Sequence, residues 1–232
     1  MEYRQVDSYP ERQGQTVSAL IRKVYGWMSI ALLITGATAA LVANNHTVIN
    51  YLMTNSWAFW GLFIVQLGMV IFLSARVEKM SVTTASTVFI LYSFITGVTF
   101  SMLFMVYTAE SIASTFFITA SVFAIMSIFG FVTKKDLTSL GSLSFMALIG
   151  IIIASVVNIF LHSTMLYWII TYVGVLVFVG LIAYDTQKLK TLALVQGEEM
   201  KSKLAILGAL TLYLDFINLF LMLLRIFGRR NN

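Results

Sequence analysis

Between Val24 and Ala75 the chain runs for 52 residues without an Asp, Glu, Lys or Arg, and between Leu137 and Tyr184 for 48. Two shorter runs, of 30 residues (Met80 to Ala109) and 23 residues (Ser111 to Thr133), lie between them. A bilayer core about 30 Å thick needs about 20 apolar residues as a helix. Each long run therefore accommodates a helical hairpin with a short turn. Composition excludes the soluble alternative. The chain is 59% hydrophobic and 11% charged, with a mean hydropathy of +0.89, whereas a soluble domain is nearer one quarter charged. In lipid every backbone N–H and C=O needs an internal partner, so only helices or closed barrels span. A barrel would show short alternating segments. Here both faces are apolar throughout each run, which predicts an all-α membrane protein.

Polar punctuation divides the runs into seven expected spans, at roughly 24–43, 57–75, 82–106, 111–132, 142–161, 166–186 and 204–226. The first hairpin turns at Asn44, Asn45, His46 and Thr47, and a later one near His162. The longest internal loop is expected over 187–203, and Thr133-Lys134-Lys135-Asp136 forms a charged anchor between spans four and five. Residues 1–23 are polar and are expected to be a flexible, cytoplasmic extension, followed by one transmembrane domain over 24–230. No signal peptide is expected, because the first apolar run is too long for one. Cysteine is absent, which excludes disulfides and thiolate metal sites. The net charge of +5 sits in the loops and does not suggest nucleic acid.

Lys and Arg counts in short loops set orientation. Four lie in the N-terminal segment, and two, two and four in the second, fourth and sixth loops; the odd loops have none. The N-terminus and even loops are therefore expected to be cytoplasmic. Arg225, Arg229 and Arg230 conflict with this, since seven full crossings put them on the other side. A re-entrant last segment would remove the conflict, but 204–226 is long enough to span, and seven crossings are preferred.

Two carboxylates stand out by position. Asp185 ends span six, in GLIAYDTQKLK, and Asp215 lies inside span seven, in ALTLYLDFINLFLMLLRIFG. Counted from Leu204, Asp215 is about 16 Å into its helix. An ionised Asp there costs about 2.5 kcal/mol or more, so it must be protonated, paired or facing a wet cavity. Its bland alternative is a structural hydrogen-bonder, and a carboxylate at a helix end such as Asp185 is usually just solvated. If the two share a site they titrate as a coupled pair and can attract a hard cation such as Ca²⁺. Asn218, one turn from Asp215, is a candidate hydrogen-bond partner. Asn158 is expected either to line the bundle or, the commoner use, to bond across helices, and Tyr184 and Tyr213 to mark the interface. Gly97, Gly130, Gly150, Gly174 and Gly180 are expected to permit close helix packing.

The stretches AYDTQKLK and LYLDFINLFLMLLRIFG, with VYGWMSIALL, TAESIASTF (Thr108 to Phe116) and TKKDLTSLG, resemble the Bax inhibitor-1, or transmembrane Bax inhibitor motif, family over essentially residues 20–230, and within it the bacterial inner-membrane members. The resemblance implies a seven-helix bundle with the last helix central. It implies a pH-sensitive Ca²⁺ leak in which Asp185 and Asp215 form the sensor and the sites for Ca²⁺. It further implies Arg76 in LSARVEKM as a basic latch, with Lys79 as its rival, and Arg225 near the outer end of the last helix. Gln66 stands where relatives can carry a carboxylate, which removes an expected partner for Arg225.

Three functions compete on the residues: an ion leak gated by the aspartates, a non-catalytic modulator of a membrane protease or a stress or cell-death partner, and an intramembrane hydrolase. The last ranks lowest, because no GxGD, HExxH, GxSxG or phosphate-binding glycine loop occurs. A non-enzymatic protein without a cofactor is expected, with the bilayer, Ca²⁺ and protons as its partners.

Overall fold

The computed structural model describes residues 8–195 and 198–231. Among them the chain is helical apart from short connections and one isolated bridge between Tyr107 and Arg230. The helices are α1 (Ser8–Ala43), α2 (His46–Thr54), α3 (Ser56–Arg76), α4 (Val82–Phe100), α5 (Leu103–Val106), α6 (Ala109–Val132), α7 (Thr138–Leu161), α8 (Thr164–Val195) and α9 (Glu198–Phe227). Seven stretches are long and apolar enough to cross a membrane: Gly14–Ala43, Ser56–Lys79, Val82–Val106, Ala109–Val132, Thr138–Leu161, Thr164–Leu194 and Met200–Phe227. All seven expected spans are present. Their outward faces carry bare apolar side chains, such as Trp57 (90% exposed) and Phe160 (79%), which only a lipid surround tolerates in such number.

Two boundaries differ from expectation. The N-terminal segment expected to be flexible to residue 23 is helical from Ser8, while residues 1–7 lie outside the described residues. Val17, Leu20, Ile21, Val24, Met28 and Ala31 are all buried. Their spacing of three and four makes one buried stripe under a polar face. The loop expected over 187–203 is also helical: α8 continues to Val195 and α9 starts at Glu198, with 196–197 outside the described residues. Leu189 and Ala193, four residues apart, are buried while Lys188 is exposed, so this stretch buries one face of a helix and shows another.

The chain divides into two compact units. One comprises α1 through Met105 together with Leu189–Leu210, the other Val106–Lys188 together with Thr211 onward. In the first, α1 packs on α4. Thr35 Oγ1 donates to the Ser93 carbonyl at 3.0 Å, and a Cβ at Gly97 would lie 2.6 Å from Thr38 Cβ. Gln66 Nε2 of α3 donates to Thr99 Oγ1 of α4 at 2.6 Å.

In the second unit α6 and α9 run antiparallel. Phe116 meets Phe220 and Phe216, and Phe123 meets Phe216 one step further along. The segment after α9 is tied to the start of α6: Thr108 N donates to the Arg229 carbonyl at 3.0 Å, Asn231 N to the Val106 carbonyl at 3.0 Å, and Arg229 N to Ser111 Oγ at 2.7 Å. At the other end of α6, Gly130 packs on the Ala183 carbonyl of α8. Helix α9 therefore crosses this unit from end to end, ending opposite the Ala183 level, as a full crossing requires and a re-entrant segment would not. The last span is also the most enclosed, with 72% of its window buried against 6% for the second span.

Candidate functional site

Asp185 and Asp215 both lie in the second unit, and their carboxyl groups are hydrogen-bonded to each other. Asp215 is 5% exposed, and its Oδ2 has no hydrogen-bond partner. Asp185 is half-buried. It does not end its span as expected, because α8 continues and Asp185 stands nine residues before Leu194. Lys188, one turn further along α8, acts electrostatically on Asp185 and lies 6.0 Å from the centre of the Tyr184 ring.

Small residues bring neighbouring helices onto the backbone around Asp185. A Cβ on Gly130 of α6 would run into the Ala183 carbonyl; one on Gly141 of α7 would lie 2.5 Å from the Tyr184 ring; one on Gly180 would lie 2.7 Å from Ser144 Oγ. Gln187 fixes the same level from the other direction. Its Nε2 donates to the Lys135 carbonyl at 2.8 Å and its Oε1 accepts from Leu137 N at 2.9 Å, fastening the α6–α7 connection to α8. In that connection Asp136 Oδ1 accepts from Thr138 N at 2.8 Å and Thr138 Oγ1 at 2.6 Å. The Thr138 hydroxyl and backbone N–H hold the Asp136 carboxyl below its ordinary value.

Among the described residues, the buried side-chain oxygens Thr115 Oγ1, Ser127 Oγ, Thr186 Oγ1 and Asp215 Oδ2 lack a hydrogen-bond partner. All belong to the second unit. Such an atom in a dry interior costs about 1–3 kcal/mol. Among the described residues no group of three or more His, Asp or Glu side chains converges. The aspartate pair could supply part of a Ca²⁺ shell, which takes six to eight oxygens, and water or carbonyls would supply the rest.

The other sequence candidates are placed within their own units. Arg76 ends α3 in the first unit and is exposed. Asn218 Nδ2 donates to the Leu214 carbonyl at 2.8 Å, a bond back along its own helix, and not to Asp215 as expected. Asn158 does not reach across helices; its Oδ1 accepts from Ser163 N at 2.9 Å and closes the α7–α8 turn. Tyr213 is fully buried, in the core and not at an interface. Arg225 lies over Tyr167, with Cζ 5.1 Å from the ring centre. Of the expected packing glycines, Gly150 has nothing near it, whereas Gly141 and Gly208 make close contacts that spacing did not signal. Gln187, Lys188 and Gly141 are the residues missed at the site, although the first two lie inside the AYDTQKLK motif.

A sequence model of the family described as inhibitor of apoptosis-promoting Bax1 matches residues 17–232. The inner membrane protein YbhL of Escherichia coli K12 is 54% identical over 215 residues, covering 90% of both chains. A protein of Borreliella burgdorferi is 44% identical over 230 residues, covering 98% of this chain and 99% of its own. A Streptococcus pyogenes membrane protein is 36% identical over 186 residues, covering 80% and 81%. With a family match over residues 17–232 and relatives this similar over 81–99% of their length, the chain belongs to the Bax inhibitor-1 family of membrane proteins.

Proposed function

We propose that the protein is a pH-sensitive calcium leak pathway of the inner membrane, with Asp185 and Asp215 as its coupled sensor. The observation that carries this reading is the pairing of two carboxyl groups within membrane-spanning helices. A carboxylate only accepts hydrogen bonds, so two carboxyl groups bond each other only while they share a proton. Loss of that proton leaves two negative charges side by side, which must separate or take up a cation. Ca²⁺ prefers oxygen ligands and suits such a pair. The unpartnered oxygens of Thr115, Ser127 and Thr186 support a hydrated interior, since water meets such groups at less cost than a dry core. The N-terminus is cytoplasmic in this reading, in line with the Lys and Arg distribution.

The test is Ca²⁺ flux through the purified protein in liposomes between about pH 5 and about pH 8, a range spanning ordinary and perturbed carboxyl titrations. Wild type should change its flux with pH. The Asp185→Asn, Asp215→Asn double variant should give a flat curve. Arg76→Ala should leave flux elevated and less pH-dependent if Arg76 is the latch that the family resemblance implies, and a wild-type curve would remove it from that role. Full pH dependence in the double variant ends the sensor assignment. Liposomes without flux at any pH would favour a modulator acting through a protein partner, because a channel needs none.

A further inference from the structure

The end of α9 carries a second polar cluster, remote in sequence from the aspartates and independent of the function proposed for them. Arg225 Cζ lies 5.1 Å from the centre of the Tyr167 ring, and its Nη1 is 3.9 Å from Met222 Sδ. Arg230 donates to the hydroxyl of Tyr107, and that hydroxyl also lies within electrostatic reach of Arg225 and Tyr167. These four side chains thus form one group, all in the second unit. The backbone holds them there. Tyr107 and Arg230 form the isolated bridge, the Arg229 carbonyl and N–H are both bonded to the start of α6, and Asn231 Nδ2 donates to the Tyr107 carbonyl at 3.3 Å. A Cβ on Gly228 would lie 2.5 Å from the Tyr107 ring, so only glycine lets the chain turn down onto it.

Among the described residues no carboxylate is paired with this charge: neither Arg225 nor Arg230 makes an ion pair. Glu110, in the first turn of α6, is exposed. Two guanidinium groups held in place, with phenol hydroxyls between them, are the donor set that recognises a phosphate: planar forks for its oxygens and O–H groups for the remainder. Their position at the end of a membrane-spanning helix is the level at which lipid phosphates lie.

We propose that Arg225, Arg230, Tyr107 and Tyr167 bind the phosphate group of an anionic membrane lipid at the end of α9. This gives Arg225 and Arg230 a partner at the end of the last span, where charge counting alone argues against them. It also gives the backbone ties a purpose, since they fix Arg230 beside Tyr107 before any ligand arrives.

The experiment uses the full-length protein in neutral detergent, with phosphatidylglycerol or phosphatidylcholine added at equal mole fraction. Bound lipid is counted by native mass spectrometry, and thermal unfolding is followed in parallel. Phosphatidylglycerol should be retained preferentially and should raise the melting temperature more. The Arg225→Gln, Arg230→Gln double variant should bind it about tenfold more weakly, as expected for loss of charge-assisted bonds, and the corresponding double Lys variant should retain part of the preference. Arg230→Gln alone, at an exposed position, should weaken binding in the same direction without unfolding the protein. Equal retention of the two lipids, or an unchanged preference in the Gln variants, overturns the site. Displacement of the lipid by millimolar inorganic phosphate would assign the cluster to soluble phosphate and overturn the lipid assignment.

Discussion

A residue's chemistry was legible in this sequence only where it stood out against its surroundings. Asp185 and Asp215 stand out because carboxylates are rare in apolar helices, and the structure brings them together. What they touch was not legible, because partners arrive from other helices. Gly141 shows no helical period with Tyr184, yet it sits against that ring. Asn218 and Asn158 were misread for the opposite reason: both satisfy themselves locally, on Leu214 and Ser163, and one turn of helix always offers such partners. Gly130 and Gly150 make a sharp pair. Gly130→Ala would drive a methyl into the Ala183 carbonyl beside Asp185, whereas Gly150→Ala meets nothing within 4 Å. The first should cost about 1–3 kcal/mol by overpacking, and the second should be neutral or gain up to about 1 kcal/mol from helix propensity. Thermal unfolding in detergent compares them. If Gly130→Ala melts at or above wild type, the contact of α6 with α8 is not as tight as the geometry requires.

At the scale of elements, hydropathy located the seven spans but not the ends of their helices. A window average falls wherever charges accumulate, whether the backbone stops or merely shows a wet face. Helix α1 from Val17 and α8 beyond Lys188 are both of the second kind: Val17, Leu20, Ile21 and Val24 are buried beside exposed Arg22 and Lys23, and Leu189 and Ala193 are buried beside exposed Lys188. The absence of cysteine makes this directly measurable. In single-cysteine variants, Lys188→Cys should react readily with a hydrophilic maleimide, while Leu189→Cys and Ala193→Cys should be protected. A loop would react evenly from 187 to 195, and such a pattern would overturn the helical extension of α8. The α6–α7 connection gives the extension a reason: Gln187 can hold both Lys135 and Leu137 only if α8 is still a helix where the apolar run has ended.

For the whole molecule, the number of crossings was legible because lipid forces each span to be a continuous helix of a known minimum length. The course of the final segment was not, because two sequence rules disagreed there. Length favoured a crossing, and three arginines favoured a return to the side of the other basic loops. Contacts within the second unit decide between them. The chain after α9 bonds to Val106, Thr108 and Ser111 at the start of α6, while Gln187 bonds to Lys135 and Leu137 just beyond its end. Helix α6 is 24 residues long, about 36 Å at 1.5 Å per residue, enough to separate the two faces of a bilayer. Reporter fusions at residue 46, at residue 195 and after Asn232 test the consequence. The fusions at 46 and after 232 should report the same compartment, and the one at 195 the opposite one. With the N-terminus cytoplasmic, the 195 fusion is the cytoplasmic one. If 195 and 232 report the same side, α9 does not cross, and the ties between its end and the start of α6 cannot form in the membrane. If all three are reversed together, the crossing stands and only the orientation drawn from the Lys and Arg counts falls.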